Sequence, residues 1–525
     1  MDFRKLENSI DKKRIILDSK TIKDYYLANT LNRDVSIPAV IQVLYKKELF
    51  SVLEFARENQ CSVYPISTGH NWGYGCALPV TDHCILLDLS GMNQILAFDE
   101  RFGIITIEPG VTQKQLYEFL EIHDHAYLTP TTGAGPNCSL IGNILEHGIG
   151  LAPIADHADS VYAMEVIFGN GEVYSGCMPD TCTSLNKLYK WSVGPHLDFL
   201  FLQSNFGIVT QMSIRLFPKP QKIEVVTVLL RGNISESLCE SLNQIQQEIG
   251  SQHMSNVSLM HLQRFLQFNQ VTDEDFSFID RRLLKTLHQY SWLVFFGIYG
   301  SPLMMKSLKA IIKQRFSALH LRPIIISMPR YLFWDHIGNI CHYGNSILLK
   351  NYFSFIQTAL LAFSGIPTEQ GLKLVYQDLN SLKSTTMLNP SLDQCGIIWF
   401  SPLVPLDAVH LNQFWELATA FLEQYERKPL ISFTTISPYL FIASVPILYN
   451  KLDKKELKKA QKCYESLFAH SLESGFHPYR LGIQSMPDQL PQRNFSYWSL
   501  VSQLKQAFDP EHIISPGRYC PLPIL

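Results

Sequence analysis

The chain has 525 residues, too many for one hydrophobic core, so two or three domains are expected. Hydrophobic residues make up 46% and charged residues 17%, the balance of a soluble globular protein and not of a disordered one. A net charge of −3, with no Lys/Arg-rich run interleaved with aromatics, gives no electrostatic case for nucleic acid as the main partner.

Residues Met1–Ser9 lack the apolar run of a secretory signal. The most apolar stretches, Phe353–Phe363 and Tyr439–Tyr449, fall short of the roughly 20 residues that span a bilayer, so they are expected as core elements and no membrane association is expected. The 11 cysteines are scattered, and the closest two, Cys177 and Cys182, have no His/Cys group nearby. This argues against a zinc site or a disulfide framework and favours a reducing, cytoplasmic setting.

In chain order, strands are expected at Ser62–Ser67, Ile85–Leu89 and Ile104–Glu108, the last followed by a Pro-Gly turn and a helix over Gln113–Ile122. Met164–Phe168 and Glu172–Tyr174 flank Gly169-Asn-Gly171, a hairpin signal because Asn and Gly both tolerate positive φ. A strand at Gly207–Phe217 ends at Pro218-Lys-Pro220, where proline removes ladder donors and a domain edge is plausible. Beyond it, strand-like runs (Glu224–Leu230, Trp292–Ile298, Gly396–Phe400, Tyr439–Val445) alternate with helical ones (Ser235–Ile249, Leu303–Phe316, Leu411–Gln424). The pattern predicts an α+β layer, one antiparallel sheet covered by helices. A charged helix near Lys454–His470 and the segment Asp509–Gly517 complete the chain.

Two glycine-rich runs could carry chemistry. Thr68-Gly-His-Asn-Trp-Gly-Tyr-Gly-Cys76 follows a strand, and glycine lets several backbone N–H groups approach an anion such as a diphosphate; a plain surface turn is the bland alternative. Thr132–Asn143 is the second run, followed by Gly148-Ile-Gly150. Neither run matches a dinucleotide-binding βαβ fingerprint or a P-loop, which argues against nicotinamide binding and ATP hydrolysis.

Taken together, Ile66–Asp88, Thr132–Gly176, Ser204–Pro220, Trp399-Phe-Ser-Pro402, Tyr479-Arg480 and Asp509-Pro…Ser515-Pro-Gly517 resemble the vanillyl-alcohol oxidase / p-cresol methylhydroxylase superfamily. The resemblance implies an α+β protein with a PCMH-type, two-subdomain FAD-binding domain at 1–220. A cap at 221–455 would cover the substrate, and 456–525 would return to the flavin domain. It implies FAD as cofactor, held by Ser67, Thr68, Gly69, His70, Asn71, Gly73, Tyr74, Gly133, Gly135, Gly142, Asn143, Gly207, Ile208 and Arg518. It further implies a phenolate site at Tyr74, Tyr479 and Arg480, where two phenols and a permanent guanidinium charge stabilise a buried anion. Asp156 matches the carboxylate near flavin N5, a base or water activator, with capping of a turn as its alternative and His157 as a weaker candidate.

The cap histidine that links flavin in one branch is matched here by Ile397, and no tyrosine stands at Leu388–Pro390. His70 instead fits the Gly-His of other branches, which implies a covalent histidyl flavin. A cysteinyl link is not expected, since the matching position is Thr131 and both Cys76 and Cys138 lie off register. The implied reaction is hydride transfer from a para-substituted phenol or benzylic alcohol to flavin N5. A quinone-methide-like species then gains water or loses a proton, and oxygen or an electron-acceptor protein takes the electrons. An alcohol or amine of a larger natural product or sugar is the alternative substrate, and a flavin-retaining protein with a purely binding role is the alternative from another class. Members of the superfamily often form homodimers, and the sequence leaves the oligomeric state open.

Overall fold

The computed structural model describes residues 1–151, 153–176, 185, 187–191, 193–268, 278–329, 332, 346–376, 387–489 and 495–521. Short aliphatic runs near the start of the chain form a sheet in which Val40–Gln42, Ile85–Asp88 and Val63–Ile66 run parallel, with Ile15–Ile16 at the far edge. Ile85–Asp88 is buried on both faces, as the apolar composition of a central parallel strand requires. Helix Lys46–Glu58 packs Leu49, Val52 and Leu53 onto this sheet. The distant C-terminal segment joins the edge: Val63 N donates to Ile513 O and Ser515 N donates to Val63 O, both at 2.8 Å.

The second sheet is antiparallel and takes the order Ile95–Asp99, Ile104–Ile107, Gly207–Arg215, Val161–Phe168, Val173–Tyr174. Helix Gln113–Ile122 covers it, started by Thr112, whose side chain accepts from Gln115 N. The hairpin at Gly169–Gly171 forms, but only Gly171 adopts positive φ (+89°). Asn170 uses its side chain instead, with Oδ1 accepting from Glu172 N at 2.9 Å.

The remaining strands make one large antiparallel sheet in the order Ile324–Ser327, Lys222–Leu230, Trp292–Gly300, Ser258–His261, Ser432–Ser437, Leu440–Asn450, Cys395–Phe400, with Leu403–Pro405 also pairing to Leu440–Asn450. Helices Glu236–Ile249, Pro302–Ala318, Ala408–Gln424 and Lys454–Glu473 cover one face and share its core. Trp292–Gly300 is apolar throughout because both its faces are buried: Trp292, Val294, Phe296 and Ile298 point to that core, Leu293 and Tyr299 to a second one. The second core contains Phe355, Ile356 and Leu360, so the apolar stretch Phe353–Phe363 is the latter part of the long helix Ile347–Phe363.

Helix Lys454–Glu473 packs on the large sheet, so a division at residue 455 would cut through its first turn. After this helix the chain meets the glycine loop again, where Ile483 N donates to Tyr74 O at 3.0 Å. No helix among the described residues is long and apolar enough to cross a membrane, and none of their His/Cys/Asp/Glu groups could hold a metal ion. Cys61, Cys76, Cys84, Cys138, Cys239, Cys395, Cys463 and Cys520 are buried free thiols, whereas Cys177 and Cys182 lie outside the described residues.

Candidate active site

The parallel strand Val63–Ile66 delivers Ser67–Asn71 to the wall of a cavity of about 540 Å³ that runs between the first two sheets and the large sheet. This is a size at which cofactor and ligand sites are built. Of the residues expected to hold flavin, Ser67, Thr68, Gly69, His70, Asn71, Gly133, Gly142, Asn143, Gly207, Ile208 and Arg518 line it, together with Arg480. Gly69 turns the loop at φ +69°, and a side chain on Gly133 would meet nothing within 4 Å. Among the described residues, the amides of Thr68, Gly69, His70 and Asn71 donate to no protein acceptor. A run of unpaired N–H groups on a cavity wall is what a diphosphate needs, so these residues fit FAD.

Two expected glycines do another job. Gly73 N donates to Thr30 Oγ1 (2.8 Å) and Gly73 O accepts from Trp399 N (3.2 Å), and any side chain there would run into the Trp399 ring. Gly135 would likewise meet Leu372 at 2.9 Å. Both are needed where the cap lies against the flavin loops, and neither lines the cavity.

Arg518 pairs with Glu146 and donates to Tyr64 Oη at 2.6 Å, which balances its charge at the cavity edge. Arg480 has no carboxylate partner among the described residues. Its guanidinium carbon stands 3.6 Å from the centre of the Tyr74 ring and 5.8 Å from that of Tyr479, and Nη2 reaches Asn71 Oδ1 at 3.3 Å. Burial works against its charge, but the surrounding phenols of Tyr479, Tyr74 and Tyr519 leave its pKa above the ordinary value. The structure therefore gathers Tyr74, Tyr479 and Arg480 into one cluster, although the two tyrosines do not themselves line the cavity. Tyr74 Oη shares a hydrogen bond with Ser401 Oγ at 2.7 Å. Ser401 was not singled out from sequence, yet it sits inside the Trp399-Phe-Ser-Pro402 motif, which was the available signal.

Asp156 stands apart from the cavity. It caps the short turn His157–Ser160, Oδ1 accepting from Ala158 N at 3.0 Å, and lines a separate hollow of about 430 Å³ with His147 and Tyr519. Burial raises its pKa, partly countered by His147. The turn-capping alternative describes its geometry, because an Asp ahead of a tight turn satisfies the nearest free amide before any distant group. His157 is buried too, with Nδ1 at 2.7 Å from Asn143 Oδ1, and burial pulls its pKa down to about 4. His70 stacks on Trp72 at 4.6 Å, and burial likewise lowers its pKa to about 4. Trp72 Nε1 in turn donates to Ala134 O at 3.1 Å, tying the two glycine loops together. Ile397 is fully buried in the apolar cluster beneath Trp72.

Comparison with known proteins agrees with this geometry. Residues 37–176 match the FAD binding domain family. The chain is 30% identical to the 1'-carboxy-chondrochloren decarboxylase of Chondromyces crocatus, over 92% of this chain and 90% of that protein. The structure of p-cresol methylhydroxylase with substrate bound superposes with a TM-score of 0.84 at 20% identity, covering 99% of this chain and 96% of the other. The 4-ethylphenol oxidase of Gulosibacter chungangensis, in complex with isoeugenol, gives 0.85 at 19% identity, covering 99% and 97%. The chain belongs to the PCMH-type FAD-binding oxidoreductase superfamily. It is an FAD-dependent enzyme with the α+β fold of that superfamily.

Proposed function

We propose that the enzyme oxidises a para-substituted phenol or 4-hydroxybenzylic alcohol whose oxygen is held by Tyr74, Tyr479 and Arg480. The observation that carries this reading is the Arg480 guanidinium, stacked on Tyr74 at the cavity wall with no carboxylate to neutralise it among the described residues. A buried cation without a counter-ion favours an anionic ligand, and a phenolate between two phenols supplies one. Burial keeps the Tyr479 pKa above its ordinary value, so its hydroxyl stays a hydrogen-bond donor. When bound, FAD supplies the two-electron acceptor for the benzylic hydride. Arg480 and the tyrosines orient the ring and carry its negative charge, and the cap strands form one wall of the cavity. Asp156 is left out of the reacting set because it lines a separate hollow and not this cavity. The names of two structural neighbours, a p-cresol methylhydroxylase and a 4-ethylphenol oxidase, support a phenolic substrate. The decarboxylase relative acts, by its name, on a carboxylated compound, which widens the reading to phenols bearing an acid group. Oxygen or an electron-acceptor protein completes the cycle.

The test is anaerobic mixing of the holoenzyme with 4-ethylphenol and, separately, with its methyl ether. The phenol should bleach the flavin and the ether should not. Equal bleaching by both, or by neither, sinks the reading.

We also propose that the flavin is bound covalently through His70. Desolvation lowers the pKa of its half-buried imidazole to about 4, which leaves a nitrogen lone pair free for bonding. Acid precipitation should leave the yellow colour in the protein pellet, and His70→Ala should release it into the supernatant. Colour lost from the wild-type pellet would sink the linkage.

A further inference from the structure

Besides Arg480 and the Glu146-paired Arg518, the cavity has a third positive group, Arg264, on a different wall. Helix Leu262–Phe268 follows strand Ser258–His261 and turns Arg264 back toward the large sheet. Nη1 of Arg264 donates to Leu430 O at 2.8 Å and to Ser444 O at 3.0 Å. Among the described residues, Nε and Nη2 have no partner and no carboxylate touches the group, although it lines the cavity. The sheet face beneath it is unusually polar. Strand alternation sends Leu259, Phe433 and Ala443 into the helix-covered core and turns Ser258, Ser432, Thr434 and Ser444 toward the cavity. Register places Ser258 opposite Thr434 and Ser432 opposite Ser444, so the four hydroxyls form one patch. Ser258 Oγ and Thr434 Oγ1 are 3.2 Å apart.

We propose that Arg264, with the neighbouring hydroxyls, anchors a carboxylate on the substrate's side chain, so that the preferred substrate is a para-hydroxyphenyl carboxylic acid. The acid anchor rests on the phenol reading above only for the other end of the molecule. The open Nε/Nη2 edge is the fork that takes a carboxylate through two parallel hydrogen bonds. Burial without an anion pulls the Arg264 pKa down to about 10, the strain that a carboxylate would relieve. Arg264 is set in the cap and bonded to its sheet, whereas the unpaired amides that suit a diphosphate lie on the Ser67–Asn71 loop.

Calorimetric titration of the holoenzyme with 3-phenylpropanoate, which lacks the phenol, tests carboxylate binding apart from the phenol reading, and the Arg264→Ala variant assigns it to Arg264. The wild type should bind this acid far more tightly than 3-phenylpropanamide, and Arg264→Ala should weaken the acid by about 100-fold relative to the amide. Equal binding of acid and amide by the wild type overturns the proposal, and that comparison needs no variant. So does an Arg264→Ala variant that loses flavin while keeping its preference for the acid. Selective binding of 3-(4-hydroxyphenyl)propanoate without flavin reduction would uphold the anchor and sink the phenol reading, so the two fail separately.

Discussion

Replacing Arg480 with alanine should lower the rate of flavin reduction by a 4-alkylphenol by about 1000-fold, the loss expected when a preorganised charge facing developing charge is removed. The guanidinium is held in place from two sides, by the Tyr74 ring under it and by Asn71 Oδ1 at 3.3 Å, so it loses little freedom when substrate binds. Without it, a phenolate at this position would be buried beside Tyr74 and Tyr479 with no cation. Arg480→Lys should recover only part of the rate, since an ammonium can neither stack on the ring as a plane nor offer paired donors. Stopped-flow reduction under anaerobic conditions reads the rate. A pH titration of the bound phenol's ultraviolet spectrum reads the cause. In the wild type the ligand should ionise well below its pKa of about 10, and in Arg480→Ala its ionisation should move back toward that value. A phenol that ionises at the same pH in both proteins would remove Arg480 from the site.

Asp509→Ala should destabilise the enzyme by about 3–5 kcal/mol and weaken its hold on FAD, because it leaves a buried lysine without its partner. Lys505 Nζ lies 2.6 Å from Asp509 Oδ2, with the two side chains 1% and 0% exposed. The lysine also donates to Asn205 O and Ile514 O, and Asp509 accepts from Ile513 N (3.2 Å) and Ile514 N (2.8 Å). This pair therefore fixes the bend that brings Ser515 and Arg518 to the cavity wall. Exchanging both charges for apolar residues should not restore stability, because the amides of Ile513 and Ile514 would still lose their acceptor. Urea unfolding followed at two wavelengths reads stability, and the rise of free-flavin fluorescence reads cofactor release. An Asp509→Ala enzyme as stable as the wild type would show that the pair carries no weight.

The glycine loop, the strand before it and the hairpin at Gly169–Gly171 were legible in the sequence because they depend on local conformation, which a few neighbouring residues dictate. The antiparallel, helix-covered cap was legible for the same reason: Trp292–Gly300 and helix Pro302–Ala318 carry their periodicity within a few turns. Strand Ser432–Ser437 was not, because its polar half faces the cavity and its composition reads as a loop until that cavity is known.

What the sequence determined by itself was therefore the superfamily, the cofactor and the glycine loops that line the cavity. The tertiary structure decided which side chains meet. Tyr74 and Ser401 are 327 residues apart, and Arg264 finds its two acceptors 166 and 180 residues downstream, distances at which no local pattern can report a contact. It also separated glycines by purpose: Gly133 opens toward the cavity, while Gly73 makes room for Trp399. Asp156 lines a separate hollow, with one carboxylate oxygen on the turn it caps. Proximity along the chain settles caps and turns, but charge balance across the cavity exists only once the sheets have closed around it.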